Sequence, residues 1–259
     1  MPIYAVANQK GGVGKTATVL SLGAAIQDLE KSVLLVDFDP QASLTSCAGF
    51  NPDEAEATVY NALAKKQGDL SAAVFKTEFG CDLIPANIDL AMAEIELVGR
   101  TGRERILKGK LDPIAEGYDV TLIDCPPSLG LLTLNALVAA DQVIIPCAAQ
   151  FLALRGLSAL WSTIEDVKEN VADCDTLTVL GVLATMTDSR TNHSNEAVEQ
   201  LRKQYGRLVF KAEIPRTVRM ADAATSGKPI IQFAPTSPAA LAYEDLAKEV
   251  LSRGKAHAN

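Results

Sequence analysis

Short apolar runs alternate along the chain with longer amphipathic stretches. This alternation is typical of a mostly parallel β-sheet whose strands are joined by helices that cover both faces. No internal repeat, low-complexity segment or long linker interrupts it. The pattern therefore predicts a single α/β domain over residues 1–259, built on a twisted, mostly parallel sheet. The predicted strands are residues 3–7, 33–37, 82–85, 120–124, 143–146 and 177–184.

Composition agrees with one domain and argues against membrane-spanning and disulfide-stabilised proteins. A chain of 259 residues with 48% hydrophobic content can bury one sizeable core, and it fits a single large α/β domain, which we favour, as well as two small ones. No uncharged apolar stretch reaches the ~18 residues of a membrane span, and the first residues enter a predicted strand without a signal peptide. The five cysteines form no C-x-x-C pair and are odd in number, which argues against a disulfide framework and a zinc site. We therefore expect a cytoplasmic protein.

The first predicted strand runs directly into a glycine-rich loop, residues 9–16, with the sequence Q-K-G-G-V-G-K-T. Its three glycines let the backbone fold tightly around an anion, so that successive N–H groups point at phosphate oxygens. In such a loop Lys15 reaches the β and γ phosphates, and Thr16 places its hydroxyl on Mg²⁺. A glycine turn without a ligand is the alternative. The order of strand, loop and helix favours a P-loop NTPase.

The loop carries a second cation, Lys10, which a phosphate cradle does not require. The string from Lys10 to Thr16 resembles the deviant Walker A motif of the ParA/MinD family of ATPases. The resemblance implies that Lys10 crosses a dimer interface to the partner's nucleotide and that Lys15 is the second catalytic lysine. Without it, Lys10 would be a solvated surface charge. Ala17 departs from the second threonine of the family motif. The implied nucleotide-binding residues are Gly11, Gly12, Val13, Gly14, Lys15, Thr16 and Ala17.

Two acidic motifs follow predicted strands. The sequence D-F-D-P-Q begins at Asp37 and matches the family's switch I motif, which implies that Asp39 polarises the attacking water and Asp37 supports the metal shell. Asp124 ends a strand, where a P-loop ATPase holds Mg²⁺, and is the Walker B candidate. The alternatives are an ordinary turn rich in Asp and Pro for the first motif and a solvent-facing Asp for the second. The predicted metal set is Thr16, Asp39 and Asp124, with ATP and Mg²⁺ as cofactors.

Three later segments also resemble the family pattern. In relatives, the strand before residues 188–192 and the loop at residues 214–219 border the adenine, which makes Met186 and Pro215 candidates for adenine contact. Residues 150–156 resemble a segment that often begins with an acid. Gln150 stands in that place, so we assign it no catalytic role.

The net charge of −8 argues by itself against nucleic-acid binding. Residues 186–220 reverse the balance with seven cations and four anions, while the rest of the chain has 17 cations and 28 anions. A basic cluster with few aromatic residues suits contact with a phosphate backbone, although charged helix faces are common on protein surfaces. The resemblance implies sequence-independent binding of double-stranded DNA by the ATP dimer. The implied DNA-binding residues are Arg190, Arg216, Arg219, Lys203 and Lys211.

These features together favour a nucleoid-associated DNA-partition ATPase. By resemblance, ATP drives formation of a sandwich homodimer that binds DNA, and a ParB-type centromere-binding protein stimulates slow hydrolysis. One alternative is a membrane-bound MinD-like division regulator, but residues 251–259 lack the amphipathic basic helix with bulky apolar residues that such a protein needs. Another is a scaffold, or a positioner of a different cargo such as a chemosensory array or a carboxysome.

Overall fold

The computed structural model describes residues 1–64, 68–149 and 154–257. Within these ranges, eight strands form one sheet. They are β1 (Ile3–Val6), β2 (Val33–Asp37), β3 (Phe75–Lys76), β4 (Asp82–Ile84), β5 (Val120–Asp124), β6 (Gln142–Ala148), β7 (Thr178–Thr187) and β8 (Val209–Pro215). Their order across the sheet is β3-β4-β2-β5-β1-β6-β7-β8. The short β3 runs antiparallel to β4 and the other pairs are parallel, which confirms the predicted α/β class.

Helices connect these strands and cover both faces of the sheet. Those in the described residues are α1 (Lys15–Gln27), α2 (Ser43–Cys47), α3 (Val59–Ala64), α4 (Leu90–Leu97), α5 (Ile106–Ala115), α6 (Leu131–Ala139), α7 (Leu154–Asn170), α8 (Asn192–Tyr205), α9 (Arg219–Thr225), α10 (Ile230–Phe233) and α11 (Pro238–His257). None of these helices combines the length and the apolar character needed to cross a membrane.

All six predicted strands are present, and their bounds shift by at most three residues. The sequence analysis missed β3 and β8. β3 has only two residues, too few to show a pattern. β8 lies at the edge of the sheet and is only partly buried, with Lys211 exposed on it, so it lacks the continuous apolar run of a central strand.

An apolar layer lies on each face of the sheet. On one face, α1 is almost completely buried between the sheet and α11, with Leu22 and Ile26 fully enclosed. Gly23 allows this close packing, because a Cβ at that position would lie 2.6 Å from Leu35 Cδ2 of β2. The other face is covered by helices from α3 to α8. The buried position of α1 fixes the loop that precedes it.

The strand order places the predicted motifs at one edge of the sheet. The connection after β1 leads to β2 on one side, whereas the connection after β5 passes β1 to reach β6 on the other side. Ligands bind at such switch points, beyond the carboxyl ends of the strands. In the register, Asp124 of β5 lies opposite Val6 of β1 on one side and Asp37 of β2 on the other. The segments that follow these three strands therefore meet.

Candidate functional site

The phosphate loop has a backbone that glycine adopts readily and other residues rarely do. The φ angle is +71° at Gly12 and +89° at Gly14, in the left-handed region. A Cβ built at Gly11 or Gly12 would meet no atom within 4 Å, so there is open space beside the loop. The helix α1 begins at Lys15, and the first N–H groups of a helix have no partner within it. The loop therefore offers an anion-binding site.

Two side chains tie this loop to neighbouring strands. Asn8 donates from Nδ2 to the Pro146 carbonyl of β6 at 2.7 Å, and its Oδ1 accepts from the Lys10 N–H at 2.9 Å. Thr185 of β7 donates from Oγ1 to the Val13 carbonyl at 2.8 Å. The loop is thus held in shape before any ligand binds. Sequence reasoning missed Asn8 and Thr185, because neither belongs to the loop motif.

Behind the loop lies a cluster of buried carboxylates. The Thr16 hydroxyl donates to Asp124 Oδ2 at 2.7 Å. Asp124 is completely buried, and its Oδ1 has no hydrogen-bond partner among the described residues. Asp37 is also completely buried and accepts two hydrogen bonds from Thr45, at 2.8 Å from N and 2.7 Å from Oγ1. Asp39 keeps 8% of its surface exposed and accepts the Gln41 N–H at 2.9 Å.

Burial makes the carboxyl groups of Asp37 and Asp124 reluctant to ionise. It raises the pKa of Asp37 to about 6, although hydrogen bonds from Thr45 oppose the shift. Burial, and then the charge of Asp37, raises the pKa of Asp124 well above its usual value, while Thr16 and Lys15 act in the opposite direction. A cation bound beside two adjacent buried acids would favour their ionised forms.

The donors fit a hard divalent cation such as Mg²⁺. They are hydroxyl and carboxylate oxygens, and the unpartnered Oδ1 of Asp124 is available as a further acceptor. In the described residues, no group of three or more His, Cys, Asp or Glu side chains is arranged to hold an ion unaided. Mg²⁺ is usually bound by one or two carboxylates together with water and phosphate oxygens. Thr16 and Asp124 would hold the ion, with Asp39 nearby.

A cavity of about 400 Å³ opens beside the loop. Around the loop its lining includes Lys15, Thr16 and Asp39, while a second part of the lining is apolar. The apolar residues, Leu20, Met186, Met220, Ala223 and Ile230, suit a planar base. Three of them come from α9 and α10, which sequence reasoning did not connect with the nucleotide because no motif marks them.

The structure brings most of the predicted nucleotide-binding residues together. Those that line the cavity are Gly11, Gly12, Gly14, Lys15, Thr16, Ala17 and Met186, and Asp39 of the predicted metal set lines it as well. Val13 and Asp124 are buried and do not line it. Lys10 and Pro215 also lie outside the lining, and Pro215 instead pairs with Thr187 at the end of β8. Gln150 lies outside the described residues.

A contact between two glycines joins the segment after Asp39 to the apolar wall of the cavity. Gly49 follows α2, and Gly227 lies between α9 and α10. A Cβ at Gly227 would lie only 2.8 Å from the Gly49 Cα, so the two main chains touch directly. Both glycines have positive φ, +89° and +68°. We call this contact the glycine joint.

The predicted DNA-binding residues fall into two groups. Arg190 follows β7, and Arg216 follows β8, where its N–H donates to the Thr187 carbonyl at 2.9 Å. Arg219 begins α9, so these three arginines lie at the same edge of the sheet as the nucleotide loop. Lys203 is in the last turn of the 14-residue helix α8, roughly 20 Å long, and Lys211 is in the middle of β8. The structure therefore does not place all five residues together.

Ion pairs reduce the free charge of this region. Arg190 makes two hydrogen bonds of 2.9 Å with Asp188, and Arg202 pairs with Glu213 at 2.8 Å. Arg216 and Arg219 are exposed and form no ion pair with a described residue. These two arginines lie beside the nucleotide edge, and we call them the arginine pair.

Comparison with known proteins agrees with this geometry. A family model described as an AAA domain matches residues 1–177. The sporulation initiation inhibitor protein Soj of Bacillus subtilis is 46% identical over 252 residues, which cover 97% of this chain and 99% of that protein. The chromosome-partitioning ATPase Soj of Thermus thermophilus is 45% identical over 96% of this chain and 95% of its own length.

A solved structure from Mycobacterium smegmatis is similarly close. It is described as cobyrinic acid a,c-diamide synthase with bound ADP and magnesium, and it is 42% identical. The TM-score is 0.86, and the match covers 98% of this chain and 96% of that one. The phosphate loop, the buried carboxylates and the near full-length similarity to Soj proteins together show that this chain belongs to the ParA/MinD family, in its Soj/ParA group.

Proposed function

We propose that the chain is a DNA-partition ATPase in which ATP binding drives dimerisation and sequence-independent DNA binding, and hydrolysis reverses both. The observation that carries the proposal is the hydrogen bond from Thr16 to the buried Asp124, whose second oxygen has no hydrogen-bond partner among the described residues. This pair adjoins an open glycine loop. The arrangement supports binding of ATP together with Mg²⁺, as the ADP and magnesium bound to the M. smegmatis protein also suggest.

In the proposed hydrolysis, Asp39 orients the attacking water. Its Oδ1 accepts the Gln41 N–H, whereas its Oδ2 accepts no hydrogen bond from a described residue and is available to the water. Lys15, only 7% exposed, supplies positive charge beside the phosphates. Bound Mg²⁺ offsets the charge that develops on the phosphate oxygens. No arginine is among the described residues that line the cavity, so we expect slow hydrolysis that a ParB-type partner stimulates.

Lys10 is proposed to act on the nucleotide of a second protomer. It is partly exposed and does not line the cavity of its own chain, although Lys15, five residues later, does. Its backbone N–H is fixed by Asn8. A partly exposed cation on the phosphate loop that does not line its own cavity suits a contact across a dimer. Such a dimer would form only with ATP, because the nucleotide phosphates supply the contacts.

The arginine pair is proposed to bind the DNA backbone. Because it lies at the nucleotide edge, dimerisation there would bring two copies of it onto one surface. If each protomer neutralises about three phosphates, the logarithm of affinity should fall with the logarithm of salt concentration with a slope of about −5 for the dimer. A monomer would have half that slope and bind weakly at physiological salt.

The structure of α11 favours this proposal over a MinD-like membrane role. Tyr243, Leu246 and Val250 of this helix are buried in the core. Arg253 donates to three main-chain carbonyls, those of Leu180, Leu208 and Val209. A membrane-binding helix needs its apolar face free for lipid. Here that face packs on α1 and β8, so α11 supports the fold instead.

The name given to the M. smegmatis structure implies amide formation, which we do not propose for this chain. Of the cysteines in the described residues, Cys81, Cys125, Cys147 and Cys174 are buried, and Cys47, which lines the nucleotide cavity, is half-buried. Burial, and then the charges of Asp124 and Asp37, raises the pKa of the Cys47 thiol. Burial raises the pKa of the Cys147 thiol to about 11 and also raises that of Cys125. Thiols of this kind are poor nucleophiles. The site supports nucleotide chemistry and offers no nucleophile for amide transfer among these cysteines.

DNA binding under different nucleotides tests the proposal. We expect a short labelled duplex to gain anisotropy with protein and ATP, but not with ADP or without nucleotide. Asp39→Ala should retain the ATP-dependent dimer and its DNA binding while losing hydrolysis. Lys10→Ala should lose dimerisation, and Lys248→Ala, which removes an exposed lysine elsewhere, should change nothing. Equal DNA binding with ATP and ADP would contradict the proposal.

A further inference from the structure

The segment around α4 carries large apolar side chains on two sides. Leu90, Ala93 and Leu97 are buried in the core. On the other side, four apolar residues face solvent. They are Ile88, Met92, Ile95 and Val98, with 61%, 49%, 70% and 59% of their surface exposed. We call these four residues the α4 stripe.

The spacing of the stripe shows that it is one continuous surface. Its members follow one another by four, three and three residues, so they lie along one side of a helix and its flanking turns. The other large exposed apolar residues in the described part of the chain are scattered. A helix that is apolar on all sides is normally covered on all sides. A continuous exposed apolar surface of this kind marks an interaction site.

The charges around the stripe restrict what can cover it. Residues 77–99 contain five acids and no Lys, Arg or His, and Arg103 places one cation at the end of the stripe by donating to the Val98 carbonyl at 2.8 Å. Asp89 and Glu96 are exposed beside the stripe, and Glu94 is partly exposed. An anionic lipid surface or a nucleic acid would be repelled there. A second copy of this chain in a two-fold arrangement would bring the same acids together. The complementary surface is therefore apolar and positively charged.

The stripe is connected to the nucleotide site through one packed contact. Glu94 lies against the Cα of Gly130, because a Cβ there would collide with the Glu94 carboxylate. Gly130 precedes α6, three residues after Pro127, which lines the nucleotide cavity. A molecule bound to the stripe would thus lie on α4, which contacts the segment between Pro127 and α6.

We propose that the α4 stripe is a docking site for a cationic amphipathic helix of another protein. Such a helix would place its apolar residues on Met92 and Ile95 and its lysines or arginines beside Asp89 and Glu96. In binding of this type, apolar side chains spaced along one side of a helix pack into a groove or onto a face of the other protein. The proposal goes beyond the proposed function and requires neither DNA binding nor hydrolysis.

A designed peptide provides the test. The probe is a fluorescent helix with leucines on one face and lysines on the other. One control peptide replaces the lysines by glutamates, and a second keeps the composition but scrambles the order. We expect the wild-type protein to bind the probe and neither control. The double variant Met92→Gln/Ile95→Gln should bind at least tenfold more weakly, whereas Leu241→Gln, an exposed leucine on α11, should bind as the wild type does.

The same variants exclude simple charge attraction and other occupants. If the probe bound only by attraction to the net acidic surface, Met92→Gln/Ile95→Gln would bind it as tightly as the wild type does. That result would overturn the proposal. So would a wild-type protein that binds no probe. A stripe variant that shifts a dimer to a monomer in sedimentation would assign the stripe to a second copy. Flotation with phosphatidylglycerol vesicles that depends on the stripe would assign it to a membrane. Both results would refute the peptide partner.

Discussion

The nucleotide edge and the arginine pair are neighbours, yet they differ in how the fold holds them. At the nucleotide edge, Asp37 and Asp124 are completely buried, and partners from other segments of the chain donate to them. Arg216 and Arg219 are exposed and form no ion pair with a described residue. A buried side chain with hydrogen-bond partners is held in one conformation, while an exposed side chain samples many conformations. The chemistry at the first site thus depends on position, and affinity at the second depends on the number of charges.

The largest effect that would test this contrast is expected when a single buried cation is removed. Lys15→Ala should lower the rate of ATP hydrolysis by about 10²–10³-fold, because one positioned group that stabilises transition-state charge is typically worth that much. Steady-state phosphate release measures the rate. Lys248→Ala is the matched control. A Lys15→Ala protein with more than a tenth of the wild-type rate would show that the buried position is not decisive.

The second effect is the pH dependence of the free energy of unfolding, measured without Mg²⁺ or nucleotide. Asp37 has a pKa of about 6 in the folded protein, above the value of an unfolded aspartate. The unfolded chain therefore releases this proton first, and the free energy of unfolding should fall by up to about 3 kcal/mol as pH rises from about 4 to about 6. Urea denaturation across this range measures the change.

Asp124→Asn sharpens that measurement. It removes a buried charge beside Asp37, so it should stabilise the ligand-free protein near neutral pH while abolishing Mg²⁺-dependent hydrolysis. Asp245→Asn, whose side chain is 71% exposed, serves as the control. If Asp124→Asn destabilised the protein at neutral pH, the carboxylate cluster would be a structural network rather than a site that lacks a cation.

The third effect is on DNA. Arg216→Ala/Arg219→Ala should make the salt slope of DNA binding by the ATP dimer shallower by about 3.6, because four phosphate contacts are lost at about 0.9 each. ATP binding should be unchanged. Lys203→Ala/Lys211→Ala should have a smaller effect, because these lysines lie away from the nucleotide edge. Equal effects of the two double variants would mean that the DNA surface extends over the whole basic region.

The smallest effect comes from releasing a paired arginine. Asp188→Asn removes the charge that holds Arg190 but keeps a side-chain oxygen for the Arg190 N–H. Exposed ion pairs are weak, so we expect DNA affinity to rise by only about two- to threefold. Anisotropy titration at low salt measures the change. A fall in affinity would indicate that the Asp188 pair positions Arg190 for DNA.

The difference between the two regions also explains what the sequence could predict. The central strands are buried on both faces, so they appear as apolar runs, and the motifs that follow them meet because the register aligns Asp37 with Asp124. Edge strand β8 contains Lys211 and Glu213 and lacks such a run, so it was missed. The net positive charge of residues 186–220 was visible, but the pairs Arg190–Asp188 and Arg202–Glu213 depend on side-chain directions that a charge count does not contain.

The apolar wall of the cavity could not be predicted for a different reason. Met220 and Ile230 reach the nucleotide site only because α9 and α10 fold back over α2 and α1. Met186 was predicted from the family resemblance alone. Its φ of +54° is unusual for a residue with a side chain and costs about 1–2 kcal/mol. No local pattern in the sequence signals that conformation.

The glycine joint limits how this protein can change over evolutionary time. Most contacts in a protein can be adjusted gradually, by adding or removing a methyl group. At the joint two main chains touch, so even alanine at Gly227 would force one turn away from the other. A larger residue at Gly227 therefore cannot be accommodated by small adjustments of neighbouring side chains. A lineage that lost Gly227 would have to rebuild the turn after α2 and the turn after α9 at the same time.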